Sequence, residues 1–276
     1  MLTKEILQKR RNHICGSDVA AIMNVSTYKS AYELYLEKRD TSEIEEQEQS
    51  ELQYWGHRLE PVIRDEFAKR NNVVVTEPTM KVSSDYPFLA ANVDGYIKET
   101  NEILEIKTAN SFTAHMWGEE FTDQIPLHYL YQVALYCIVF DASRARISVL
   151  IGGNTYREYI YERDIAFELT IIEACKSFWD DVKSGLEPCL TRISDVKLKY
   201  PSSDEAKTVE ASSWILDTVD SLQQTKVALK EHKAREERLK LEVMVHMENA
   251  EILTDREGQK IATFKTGKRG RTLLLK

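Results

Sequence analysis

The sequence predicts an α/β fold, with a mixed central sheet flanked by helices and a helical extension at the C-terminal end. Three observations predict it. Short β-type runs alternate with helix-length amphipathic runs through residues 1–200. Two pairs of runs, Leu89–Ile97 with Glu102–Thr108 and Ala145–Ile151 with Tyr156–Tyr161, flank turn-forming segments and read as hairpins. Beyond Pro201-Ser-Ser-Asp204 the pattern changes to one long charged helical stretch.

The elements follow in order. Residues 3–11 form a short helix, and Ser17–Met23 starts a second, with Ser17 or Asp18 near its cap. Ala31–Lys38 is helical, and the acidic stretch 40–50 is a solvated loop. In Tyr54–Asn71 the residues Trp55, Leu59, Val62, Ile63, Glu66 and Phe67 recur at helical spacing. Pro61 inside this run calls for a late start or a kink. Val73–Thr76 and Met80–Ser83 are short strands. Leu127–Phe140 is a strong helix with Pro126 at its first turn. Asp164–Ser184 is another, ended by Gly185 and then Pro188. Ser213–Met247 is one long helix, and Glu251–Lys276 alternates as a small basic β-unit. The expected domains are 1–200 and 201–276.

Composition narrows the class. A chain of 276 residues with 42% hydrophobic content buries a sizeable core and is not disordered throughout. The longest apolar candidate, Tyr129–Phe140, is too short to span a bilayer and is interrupted by Gln132. The start Met-Leu-Thr-Lys-Glu has no apolar leader, so the expected location is cytoplasmic, with no membrane partner. Cys15, Cys137, Cys175 and Cys189 form no CxxC pair and suggest neither a zinc site nor a disulfide framework. Net charge is −8, but unevenly spread. Residues 37–51 carry seven acids against Lys38 and Arg39, whereas 251–276 carry seven bases, including Lys265, Lys268, Arg269 and Arg271, against three acids. The total therefore excludes no polyanionic partner.

The segment Asn92-Val-Asp-Gly-Tyr-Ile97, Lys98–Asn101, Glu102-Ile-Leu-Glu-Ile-Lys107 carries the chemistry. With Ile97 and Glu102 closing the turn, antiparallel partners sum to 199, and Asp94 falls opposite Glu105. Directly opposed side chains lie about 4.5–5.5 Å apart at Cβ. Two carboxylates so placed repel unless a cation sits between them, and their hard oxygens suit magnesium or manganese. Lys107, two residues on, shares the face of Glu105. Metal and ammonium together suit hydrolysis of a charged ester. Helix-borne Glu60 is placed to complete the metal shell. Gln132 and Tyr136, four apart, share one helix face. Arg10, Arg11 and Ser17 gather around a helix start, an arrangement suited to phosphate.

Taken in order, Arg10-x6-Ser17-Asp18, Trp55-Gly56-x3-Glu60-Pro61, Asn92-x-Asp94-Gly95, Glu105-x-Lys107 and Tyr129-x-x-Gln132-x3-Tyr136 form a specific set. Through it, the chain resembles the YqaJ-type viral recombinases, relatives of the phage lambda exonuclease within the PD-(D/E)XK nuclease superfamily, over residues 5–190. Val93 stands where the superfamily has proline before the aspartate. The resemblance implies a Mg2+-dependent 5′-to-3′ exonuclease on double-stranded DNA ends, leaving 3′ overhangs for single-strand annealing recombination. The polarity comes from the resemblance and not from spacing. Asp94 and Glu105 would be metal ligands with the Ile106 carbonyl, and Glu60 would assist directly or through water. Lys107 would be the catalytic lysine, and Gln132 would orient the site. Arg10 and Ser17 would hold the 5′-phosphate, with Arg11 as the alternative arginine and Tyr136 beside the DNA. The implied partners are a phage single-strand annealing protein and further copies of the chain, often as a trimeric ring. The gene would be phage or prophage, in a bacterial host. The segment 201–276 would serve assembly, DNA or partner contact.

Two other readings share these residues. RecB-like and Cas4-like nucleases carry the same core, often with an iron–sulfur cluster. Cys15, Cys175 and Cys189 leave such a cluster one ligand short, so none is expected. A non-catalytic DNA-end-binding protein would not need Asp94, Glu105 and Lys107 intact.

Overall fold

The computed structural model describes residues 4–44, 49–268 and 270–276. Thr3 at the start of the first predicted helix, residues 45–48 of the acidic stretch, and Arg269 of the basic tail lie outside the described residues. The chain divides into two units, Met1–Ser202 and Ser203–Lys276.

The first unit begins with helix α1 (Lys4–Arg11), strand β1 (Ile14–Cys15) and helices α2 (Gly16–Ile22), α3 (Ala31–Arg39) and α4 (Glu51–Asn71). Strands β2 (Lys81–Val82), β3 (Leu89–Ala91), β4 (Gly95–Ile97) and β5 (Glu102–Ala109) follow, then a 3-10 turn at Ser111–Met116. Helix α5 (Leu127–Phe140), strands β6 (Arg144–Ile151) and β7 (Thr155–Glu162), and helices α6 (Ile165–Ser184) and α7 (Ile193–Lys199) complete it.

The central sheet has the order β4-β5-β6-β7, with β5 and β6 parallel and the outer pairs antiparallel. Strand β5 is buried on both faces, as a strand between helix layers must be. Ile103 joins the main core with Val133, Ala134 and Cys137 of α5. Leu104 and Ile106 join Ile63 and Phe67 of α4 in a second cluster. The two-residue period of the strand thus sends Glu105 and Lys107 toward α5.

Several expectations are corrected. Leu89–Ile97 is not one strand of a hairpin. The chain breaks at Asn92–Asp94, so β3 belongs to a separate sheet of order β1-β3-β2, and only β4 pairs with β5. Fully buried Ala90 and Ala91 suit this crossing, because small side chains let the second layer approach closely. The two-residue strand β1, parallel to β3, is too short to leave a period in the sequence. Helix α4 starts earlier than predicted, at Glu51, because Ser50 Oγ accepts the Gln53 N–H as its cap. It runs through Pro61. Trp55 and Val62, expected on its apolar face, are exposed. Of Val73–Thr76, Thr76 alone pairs, with Tyr96. Ser17 and Asp18 stand near the cap of α2, as expected; the cap residue itself is Cys15, whose N–H donates to the Asp18 carboxylate at 3.0 Å. Helix α7 was not predicted. It rests on buried Asp195, which accepts the N–H groups of Thr191 and Arg192 and the hydroxyl of Ser30.

The second unit holds helix α8 (Ser213–Met247) and strands β8 (Ile252–Thr254), β9 (Lys260–Gly267) and β10 (Gly270–Leu275) in an antiparallel sheet of order β10-β9-β8. Gln224–Asp220 and Lys240–Glu236 contacts four residues apart support the helix. Not all of its basic tail is free. Arg271 stacks on Phe264 and donates to the carbonyls of Ala250 and Phe264, and Lys265 pairs with Glu251. No helix of the described residues is long and apolar enough to cross a membrane.

Candidate active site

The break before β4 positions the first carboxylate. The pairs Gly95↔Leu104, Tyr96↔Ile103 and Ile97↔Glu102 sum to 199, and one further step sets Asp94 against Glu105. Asp94 lies just past the paired residues, and its Oδ2 accepts the Ile106 N–H at 2.8 Å. This bond anchors Asp94 to the strand that carries its partner.

Glu105 is the centre of the arrangement and is 2% exposed. Its Oε1 accepts from Gln132 Nε2 at 2.7 Å and pairs with Lys107 Nζ. Its Oε2 is buried with no hydrogen-bond partner. Burial and the charge of Asp94 push the Glu105 carboxyl up to about 8, outweighing Lys107. Burial also works against the Lys107 ammonium, yet Glu105 and Asp94 raise its pKa, so it stays charged. Its Nζ lies 4.8 Å from the Tyr129 ring centroid, within cation–π range. Glu60 reaches the same neighbourhood from α4. Burial and Asp94 raise its pKa against the pull of Arg64 and His57.

Asp94 thus presses on both Glu105 and Glu60, and one buried Glu105 oxygen has no donor. A hard divalent cation answers both deficits. Among the described residues, no three His, Cys, Asp or Glu side chains are gathered closely enough to hold a metal by themselves. Glu60 is paired with Arg64 at 3.1 Å.

The N-terminal corner comes next to this centre. Arg10 Nη2 donates to Ser17 Oγ at 2.8 Å. Gly16 permits the close approach of α2 to α5, since a Cβ there would lie 2.5 Å from Tyr136 Cε1 and 3.0 Å from Gln132 Cγ. Behind Arg10, buried Lys38 donates to the carbonyls of Arg10 and His13 and to Asp18, each at 2.7 Å. Burial would raise the Asp18 pKa, but Lys38 and Arg10 bring it below the usual carboxylate range. Helix α2 has only seven residues, and the Cys15–Asp18 capping pair takes up its start. Arg10 and Ser17 side chains, not an open helix end, are the available donors.

Two expectations fail here. Arg11 points away, to Asp40 and the Ser42 carbonyl. Tyr136 is buried, with its hydroxyl 2.7 Å from Gln132 Nε2, so it packs under Gln132 and is not on the surface. Sequence reasoning gave no role to Tyr129, although it stands three residues before Gln132 and so shares its face. It also missed Lys38, for which no local signal exists.

Residues 5–143 match the YqaJ-like viral recombinase domain. The chain belongs to the YqaJ-like viral recombinase family. It is 30% identical to the protein YqaJ of Bacillus subtilis strain 168 over 259 residues, covering 91% of this chain and 80% of that one. The alkaline exonuclease LHK-Exo of Laribacter hongkongensis shares the fold, with a TM-score of 0.56 at 19% identity over 67% of this chain and 94% of the other. Its structure in complex with dAMP gives a TM-score of 0.55 at 18% identity over 71% and 97%.

Two expected results follow from the site of this YqaJ-family chain. Gly16→Ala forces α2 and α5 apart, because the blocking atoms include the Gln132 backbone carbonyl at 3.0 Å. Chemical denaturation should show a loss of about 1–3 kcal/mol, the usual size for overpacking. Metal-free protein should lose stability as pH rises from about 4.5, the ordinary glutamate value, to about 8. Over that window folded Glu105 keeps a proton that the unfolded chain releases, so unfolding is favoured as pH climbs. Magnesium, which favours the charged carboxylate, should flatten the slope. Melting curves across this range, with magnesium or EDTA, measure it. Equal slopes would reject a cation at Glu105.

Proposed function

We propose that this chain is a Mg2+-dependent exonuclease that digests double-stranded DNA from a 5′ end on a PD-(D/E)XK nuclease core. The observation that carries this reading is the buried Glu105 carboxylate, held by Lys107 and Gln132 through one oxygen, unpaired at the other, and crowded by Asp94. Packing alone gives no reason to bury such a group. The name of the Laribacter hongkongensis structure, alkaline exonuclease, agrees with it.

Asp94 and Glu105, with the Ile106 carbonyl, would hold the cation, and Glu60 would brace its waters. When bound, the cation supplies Lewis-acid charge that makes water a better nucleophile and offsets the phosphate. Charged Lys107 donates to the attacking water or to a phosphate oxygen, so it stabilises developing negative charge and does not act as a base. Gln132 keeps Glu105 oriented, and Tyr136 keeps Gln132 in place. Arg10 and Ser17 are the candidate holders of the terminal 5′-phosphate, where a guanidinium and hydroxyl together suit an anion. The resulting 3′ overhang would pass to a single-strand annealing protein. Residues 201–276 would contribute to assembly, DNA contact or that partner, and the family resemblance favours an oligomer.

Linear duplex labelled at the 5′ or the 3′ end, incubated with magnesium, manganese or EDTA, tests this. Early release of the 5′ label, with a divalent metal only, is expected. Early release of the 3′ label or cutting of closed circles would move the chain to another nuclease class. Binding without cleavage under every metal would leave a DNA-end-binding protein.

A further inference from the structure

One buried polar atom near the site is not used by this reading. His128 Nε2 is shielded from solvent and has no hydrogen-bond partner, whereas buried polar atoms in folded proteins are nearly always paired. The His128 ring lies in the first turn of α5, 4.0 Å from the Tyr129 ring centroid. Tyr129 in turn lies against Lys107 Nζ. Tyr28 meets His128 edge-on at 6.1 Å and is 82% exposed. Three rings therefore lead from solvent to the ammonium. Burial and the Lys107 charge hold the His128 pKa below its ordinary value, so the ring is neutral with one N–H to give.

We propose that Tyr28 and His128 form the subsite for the terminal nucleotide of the DNA, with Tyr28 stacking on its base and His128 Nε2 donating to its sugar–phosphate backbone beside Lys107. The inference rests on the exonuclease reading and adds the contacts made by the nucleotide being removed. Every base has a face that stacks on an aromatic ring, so this subsite grips the end without reading its sequence. A phosphate oxygen beside Lys107 supplies the acceptor that His128 lacks.

Steady-state digestion of 5′-phosphorylated duplex with magnesium tests it. Tyr28→Ala and His128→Phe should each raise KM about tenfold with kcat within about twofold, the size of one lost stacking or backbone contact. His128→Phe keeps the packing on Tyr129 but removes the nitrogens. Tyr28→Phe and His128→Gln, which keep the ring and a donor respectively, should return KM to within about threefold. A duplex with 2-aminopurine as its 5′-terminal base, titrated in EDTA, should be quenched by wild type and Tyr28→Phe but not by Tyr28→Ala. Unchanged KM and quenching in Tyr28→Ala would overturn the subsite. Equal defects in His128→Phe and His128→Gln, with lowered melting temperatures, would assign His128 to packing and overturn its contact. Wild type that quenches without cutting when magnesium is added would overturn the exonuclease reading and leave the subsite standing.

Discussion

Replacing Lys107 by methionine should lower DNA cleavage by about 10^2–10^3-fold or more, the effect of removing one preorganised charge from a reacting site, while the fold survives. Methionine keeps most of the lysine stem, so the change isolates the ammonium and its contact with the Tyr129 ring. Its loss also leaves Glu105 with less opposing charge, which raises that carboxyl further. End-label release with excess magnesium, beside DNA-binding titrations in EDTA, separates chemistry from binding. Glu105→Gln makes the companion test. Metal-free folded Glu105 keeps its proton up to about pH 8, so a neutral amide replaces a neutral carboxyl, and the variant should abolish cleavage yet melt close to wild type in EDTA at pH 7. A cleaving Lys107→Met protein would remove the ammonium from the mechanism. A Glu105→Gln protein that melts well below wild type in EDTA would make Glu105 a structural carboxylate.

The second large effect lies away from the carboxylates. Lys38→Met should cost about 3–5 kcal/mol of stability, the range for breaking a buried ion pair from one side. The Lys38 side chain is 1% exposed and that of Asp18 5%. Removing the ammonium strands Asp18 and the carbonyls of Arg10 and His13 with no donor from Lys38. The pair also sets a pH limit. The folded Asp18 pKa lies below its ordinary 3.8, so its stabilisation is present above about pH 4 and is lost as pH falls through the folded value. Urea denaturation at pH 7 and in acid should show wild type losing stability in acid and Lys38→Met already destabilised at pH 7. Because the same ammonium holds the Arg10 backbone, the variant should also bind DNA ends more weakly. A loss under about 1 kcal/mol would mean that the pair is solvated and not a strut.

Local rules read much of this molecule. Helix α5 begins and ends where Pro126 and the apolar run place it, and α8 spans the predicted Ser213–Met247. The turn Lys98–Asn101 sets the β4–β5 register through its length alone, and a two-residue period then puts Glu105 and Lys107 on one face. Ordered motifs led to the family, because residue types at fixed spacing survive when the overall pattern is diluted.

What lay outside that reading depends on contacts between distant segments. The sequence by itself determined the α/β class, the long helices, and the Asp94, Glu105 and Lys107 set, because each rests on periodicity, turn length or spacing within one short stretch. Only the tertiary structure decided that Leu89–Ile97 divides between two sheets, that Arg10 reaches Ser17 while Arg11 turns to Asp40, and that Tyr136 is buried under Gln132. It alone joined Lys38 to Asp18 and set His128 between Tyr28 and Tyr129. The physical reason is the same in each case. Burial, ion pairing and ring packing depend on which segments meet across the core, and a one-dimensional period carries no record of the partner.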